Sequence, residues 1–142
     1  MIIKKILLAN ILIIFLLASS IQVLGNKNIE TTTLEIADIR GGFFRVTTDI
    51  KNTGSVDAEN FSITLSVKGG FLNKIDIFHE CGGCSHCGIT IPAEEIKSES
   101  TLESGLIIGF GQIIIIVTAQ AENADLVREE TTGFVLGPFL II

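Results

Sequence analysis

Beyond residue 30 the chain reads in twos. In Phe61–Lys68, FSITLSVK, the apolar residues Phe61, Ile63, Leu65 and Val67 alternate with Ser62, Thr64, Ser66 and Lys68. Successive side chains of a strand point to opposite faces, so this pattern predicts a strand with one face on a core and the other in water. That is the habit of an antiparallel sheet. Phe43–Asn52, FFRVTTDIKN, repeats it, with Phe44, Val46, Thr48 and Ile50 on one side and Phe43, Arg45, Thr47, Asp49 and Lys51 on the other. Thr32–Arg40 sets Leu34 and Ile36 against Glu35. Phe71–Phe78, Ile89–Pro92 and Leu126–Leu136 supply further strands. Glu94–Ser104 alternates Ile96, Ser98, Ser100 and Leu102 with charged residues, which predicts an exposed edge strand whose charges discourage pairing with another chain. Glycine pairs, the KNTG stretch, the polar loop Ala121–Asp125 and Gly137-Pro138 separate these segments, and an apolar tail, Phe139–Ile142, follows.

One stretch does not alternate. Gln112–Gln120, QIIIIVTAQ, holds four isoleucines and a valine in succession. All five are β-branched and stiff at χ1, so the run predicts the central strand, buried on both faces. Burying each such side chain is worth roughly 1.5–3 kcal/mol. No segment after the first 25 residues carries a helical period. The chain is therefore expected to be all-β, an antiparallel β-sandwich of about seven strands.

The first 25 residues belong to another pattern. Lys4 and Lys5 precede the apolar run Ile6–Ala18, broken only by Asn10, and Val23 and Gly25 fit the small-residue positions of a cut before Asn26. This reads as a signal peptide or, uncleaved, as an N-terminal membrane-anchor helix that Asn10, Ser19, Ser20 and Gln22 make marginal as a span. The expected division is a leader over 1–25, a linker over 26–31 and the sandwich over 32–142. The sandwich then lies outside the cytoplasm, secreted or anchored to the cell membrane, and meets the membrane only through an uncleaved leader.

Charge narrows the partners. The net charge is −6, and all 16 acidic residues lie beyond the leader. Nucleic-acid binding needs clustered Lys and Arg, so that class is excluded.

Three pieces, DIKNTGSVDAENFSITLSV, SGLIIGFGQIIIIVTA and TTGFVLGPFLII, together resemble the Ig-like, CARDB-type surface domains of exported archaeal and bacterial proteins. The resemblance implies an Ig-like sandwich of seven strands serving as a module at the cell surface. It implies no catalytic residues.

The chain departs from that resemblance around Cys81–Cys87. His79–Gly88, HECGGCSHCG, holds all three cysteines and both histidines of the protein. The spacing is C-x2-C-x2-C, with glycines that permit tight turning. Cys81, Cys84, Cys87 and His79 make a tetrahedral Cys3His set suited to zinc or Cu(I), with His86 as the alternative fourth ligand. An iron–sulfur cluster lacks its fourth cysteine, and a c-type haem needs a histidine where Gly88 stands. In an oxidising compartment two of the thiols would pair instead, leaving one over. Cys84-Ser85-His86-Cys87 has the spacing of a redox pair, but such pairs rely on a following helix N-terminus, and Gly88–Pro92 reads as extended.

No G-x-S-x-G, P-loop or H-E-x-x-H occurs. Glu94-Glu95 and Glu129-Glu130 are neighbours whose side chains leave a strand on opposite faces. Asp38, Asp49, Asp57 and Asp125 have no spacing that marks a calcium site. The sequence thus points to a non-enzymatic module that binds a protein or a cell-envelope component. The alternative is an extracytoplasmic metal-binding protein built on the cysteine loop.

Overall fold

A computed structural model describes residues 31–81 and 89–142. The leader and most of the linker therefore lie outside the described residues. Among those described, nine strands form: β1 (Leu34–Gly41), β2 (Val46–Asn52), β3 (Ala58–Gly69), β4 (Ile75–Cys81), β5 (Ile89–Ile91), β6 (Ile96–Ser100), β7 (Gly109–Ala121), β8 (Ala124–Gly137) and β9 (Phe139–Ile141). Every pairing is antiparallel. No helix among these residues is long and apolar enough to cross a membrane.

The strands make two sheets. The small one runs β1-β2-β6, and the large one runs β4-β3-β7-β8-β9 with β5 paired to β3. Alternation decides what faces between them. Leu34, Val46 and Ile50 of the small sheet join Phe61, Ile63, Leu65, Val67, Ile113, Ile115, Val117 and Val135 of the large one in a single buried cluster. This is the two-layer, all-β arrangement the periodicity predicts, in which each sheet needs the other to bury its apolar face.

Several elements differ in detail. The isoleucine run does lie in mid-sheet, between β3 and β8. It is not buried on both faces: Ile113, Ile115 and Val117 are fully buried, but Ile114 is 45% exposed. A two-layer fold leaves each sheet one outer face, and nothing among the described residues covers this one. The second strand begins at Val46 because the backbone turns at Phe44, whose φ is 65°. Phe43 stands exposed, on the side where the alternation puts it with Arg45 and Thr47. Phe71–Asn73 forms a 3-10 turn, and the strand expected there starts at Ile75. A bulge between Ile36 and Asp38 shifts the register, so Ile39, not Asp38, packs against the core. The end of the chain adds a strand, with Leu140 buried in the core cluster.

Two tight approaches fix the ends of the fold. Gly54 lies against the backbone of Thr31 and Thr32, and Gly41 against the carbonyl of Leu140; neither has room for a Cβ. Residues 31–33 are tied to the β2–β3 turn, because Ser55 N donates to Thr31 O and Thr53 N to Thr33 O, each at 2.8 Å. Thr31, the last residue of the expected linker, is thus hydrogen-bonded to the domain. The same turn is held by Asn52, which is fully buried. Its Nδ2 donates to Val56 O (2.8 Å) and Ile91 O (3.0 Å), and its Oδ1 accepts from Gly54 N (3.0 Å).

Candidate functional site

β4 is the outermost strand of the large sheet, and its alternation sends Ile75, Ile77, His79 and Cys81 inward while Asp76, Phe78 and Glu80 face out. His79 and Cys81 thus share one face, about 7 Å apart along the strand. Cys81 is half-buried and packs against the core. His79 is only 5% exposed. Two of the predicted ligands are therefore brought together on the inner face of one strand. Cys84, His86 and Cys87 lie outside the described residues.

The strand register brackets the cysteine loop. Cys81 pairs with Ile63 of β3, and Ile89 pairs with Phe61 of the same strand. The chain leaves the edge of β3 and returns to it two residues further along, a span of about 7 Å. The described residues on either side of 82–88 are thus both held by ladder pairing to β3.

The imidazole of His79 sits in the seam where β4 meets β6. Its Nδ1 is hydrogen-bonded to Ser104 Oγ at 2.8 Å. Its Nε2 is buried, has no hydrogen-bond partner among the described residues, and lies 3.9 Å from Glu99 Oε2. That separation is too long for a hydrogen bond. With the ring proton on Nδ1, a nitrogen lone pair faces a carboxylate oxygen across the gap. A cation held between the two would satisfy both, and a serine on the far ring nitrogen is the kind of outer partner that orients a ligating histidine. Glu99 is also approached by Lys97, whose Nζ lies 3.5 Å from Oε1.

Glu99 and Ser104 were not singled out by sequence. The alternation in Glu94–Ser104 predicts an exposed edge strand, and the structure decides which of its residues turn inward. Ile96 is 57% exposed, while the Glu99 side chain is only 15% exposed. β6 is the edge strand expected, and an inward-pointing charge is one of the ways edges are protected from pairing. That habit is the one signal in the sequence that bears on Glu99.

The remaining acidic candidates are paired with other groups or exposed. Asp38 and Asp49 both accept from Arg40, Asp57 Oδ1 accepts from Ala93 N at 3.0 Å, and Glu94, Glu95, Glu129 and Glu130 are exposed. Among the described residues no group of three or more His, Cys, Asp or Glu is placed to hold a metal ion. A cleft of about 540 Å3 opens beside the β7–β8 turn, lined by Thr31, Thr32, Val56, Glu122, Asn123, Ala124 and Asp125. It contains neither a nucleophile paired with a base nor a histidine.

No protein-family model and no curated protein matches the sequence. Among solved structures the chain is similar to parts of β-glucosidases. It covers 19% of a β-D-glucoside glucohydrolase from Trichoderma reesei with 74% of its own length, at 13% identity and a TM-score of 0.42. For a β-glucosidase from Erythrobacter marinus the figures are 16%, 74%, 12% and 0.44. For β-glucosidase 3B from Thermotoga neapolitana they are 16%, 71%, 20% and 0.40. The chain thus spans less than a fifth of the length of these enzymes.

Proposed function

We propose that the chain is a non-catalytic, exported Ig-like module whose role is to bind or assemble. The observation that carries this reading is the outer face of the large sheet, where aromatic and aliphatic side chains stand exposed on a well-buried scaffold. Large exposed apolar surfaces mark interaction sites. Strand order supports the Ig-like assignment. Taking β1, β2, β3, β6, β7 and β8 as A, B, C, E, F and G, the sheets read A-B-E and C-F-G, the pairing of an Ig sandwich, with β4 beside C. Export rests on the leader, Met1–Gly25. The partner class is a protein or a cell-envelope component, and the location is the cell surface or the medium. Protease added to intact cells should digest the full-length chain, and intact mass should show whether residues 1–25 are removed. A protected, cytoplasmic chain would overturn export, and turnover by the purified protein would overturn the non-catalytic role.

One observation favours a second reading, an extracytoplasmic metal-binding protein. The buried Nε2 of His79, without a hydrogen-bond partner among the described residues and oriented through Nδ1 by Ser104, has the attributes of a ligand. Cys81 shares its strand face. With Cys84 and Cys87 these residues would complete a Cys3His set for zinc or Cu(I). Native and denatured masses of the full chain, isolated without added metal, test it. One metal per chain, lost in Cys84→Ser and in His79→Gln, is the expected result. A metal-free protein lighter by two hydrogens would establish a disulfide instead.

A further inference from the structure

Residues directly opposite in an antiparallel pair share a face. Across β7, β8 and β9 this assembles two rows, Phe110–Leu136–Phe139 and Gln112–Phe134–Ile141. Phe43 lengthens the first row through its bridge to Phe139, their rings 5.4 Å apart, and the rings of Phe110 and Phe134 meet edge-on at 5.2 Å. The six apolar side chains are each 39–61% exposed. At about 150–250 Å2 per aromatic side chain, they present on the order of 600 Å2 of continuous apolar surface. The largest patch on a monomer is ordinarily about 300–600 Å2. Ile114, exposed on the same face of β7, carries the total toward the roughly 800 Å2 that each partner contributes to a standard interface.

We propose that this face is where a second copy of the chain packs, sheet on sheet, about a two-fold axis. It rests on the reading of the chain as a binding or assembly module and names that module's partner. The area is what a stable dimer needs. The two rows themselves carry no charged side chain; the nearest charges on this face are Lys68, opposite Ile114 on β3, and Glu130, opposite Ile116 on β8. A surface that must meet its own copy gains from this, because identical charges would be brought together. The one strongly polar side chain within the rows is Gln112, which is exposed. A carboxamide holds two donors and an acceptor, so it is complementary to itself across a two-fold axis. A lipid surface suits the face less well. Membrane-surface contacts draw on Lys, Arg, Trp and Tyr, whereas this chain is acidic and has no Trp or Tyr.

Sedimentation equilibrium of the full-length chain, over concentrations up to about 0.1 mM at physiological salt, tests the proposal. The expected mass is twice that of the chain. Phe134→Lys with Leu136→Glu should be monomeric, and Gln112→Lys, a milder exposed change, should weaken association at least tenfold. Phe78→Lys, at the far edge of the same outer face, should leave the dimer intact. Far-UV circular dichroism confirms that each variant is folded. A monomeric parent at all concentrations, or a dimer that Phe134→Lys with Leu136→Glu and Gln112→Lys leave unchanged, would overturn the proposal. So would a parent that stays monomeric and co-sediments with phosphatidylcholine vesicles. Such results leave the export reading standing, because protease accessibility on intact cells measures it separately.

Discussion

On the outer face of the small sheet, Arg40 forks onto Asp49, with Nη1–Oδ2 at 2.6 Å and Nη2–Oδ1 at 3.0 Å, and Nη1 also reaches Asp38 at 2.9 Å. Ser98 Oγ donates to Asp49 from the next strand at 2.6 Å. The corresponding face of the large sheet carries Phe110, Leu136, Phe134, Phe139 and Ile141. Both faces arise from the same two-residue period and both are solvent-exposed. One is knitted by charge-assisted hydrogen bonds across β1, β2 and β6, and the other is apolar. The period therefore decides which residues face out, while their chemistry decides whether that face is finished by water. The charged face is complete as it stands, and the aromatic face is the one that gains from being covered.

The largest effect separates inside from outside on a single strand. Ile115→Ala should cost about 2–5 kcal/mol, because it empties a fully buried position. Ile114→Ala, one residue away on the aromatic face, should change the stability of the monomer by less than about 0.5 kcal/mol. Urea unfolding of both variants checks the contrast, and equal costs would show that the outer face is part of the folded core. Asn52→Leu should cost about 2–3 kcal/mol by the same measurement. It leaves the Val56 and Ile91 carbonyls and the Gly54 N–H without the partner that now satisfies them. His79→Leu should stay within about 1 kcal/mol in metal-free protein, since it replaces a half-satisfied buried group with an apolar one. A loss above about 3 kcal/mol would make the imidazole a structural tie between the sheets.

The smallest effect sharpens the charged face. Hydrogen bonds from Arg40, and then from Ser98, hold the Asp49 carboxyl below its ordinary range. A carboxyl whose native pKa is depressed adds stability that is fully present above its unfolded value, about 3.9, and is lost as pH falls through the native one. Asp49→Asn should therefore be slightly less stable than the parent at neutral pH, with the difference closing below about pH 4. Thermal midpoints at pH 7 and pH 3 read this directly. A gap that persists unchanged in acid would show that the Asp49 charge has no part in it.

Much of this was written in the chain as a period. Phe61, Ile63, Leu65 and Val67 line the core as their spacing requires, and Val46, Thr48 and Ile50 do the same on the facing sheet. Local alternation is enough there because a strand has only two faces and one of them must be dry. The same logic failed where neighbours outvoted local pattern. Four isoleucines in a row read as a strand covered twice, but only packing settles how many layers a fold has, and this one has two. At β6 Ile96 is outward and Glu99 inward, since the register against β2 and the position of His79 across the seam set its phase.

The candidate site divides along the same line. Composition alone gathered His79, Cys81, Cys84, His86 and Cys87 into one stretch, because chemistry that rare is visible wherever it clusters. By itself the sequence determined the all-β class, the inward residues of the best strands and the cysteine spacing, all of which depend on residues near one another in the chain. Tertiary structure alone decided that His79 turns inward to Ser104 and Glu99, and that Phe43, Phe110, Phe134 and Phe139 fall on one face. Those groupings join positions up to 96 residues apart, and only strand order and register bring such positions together.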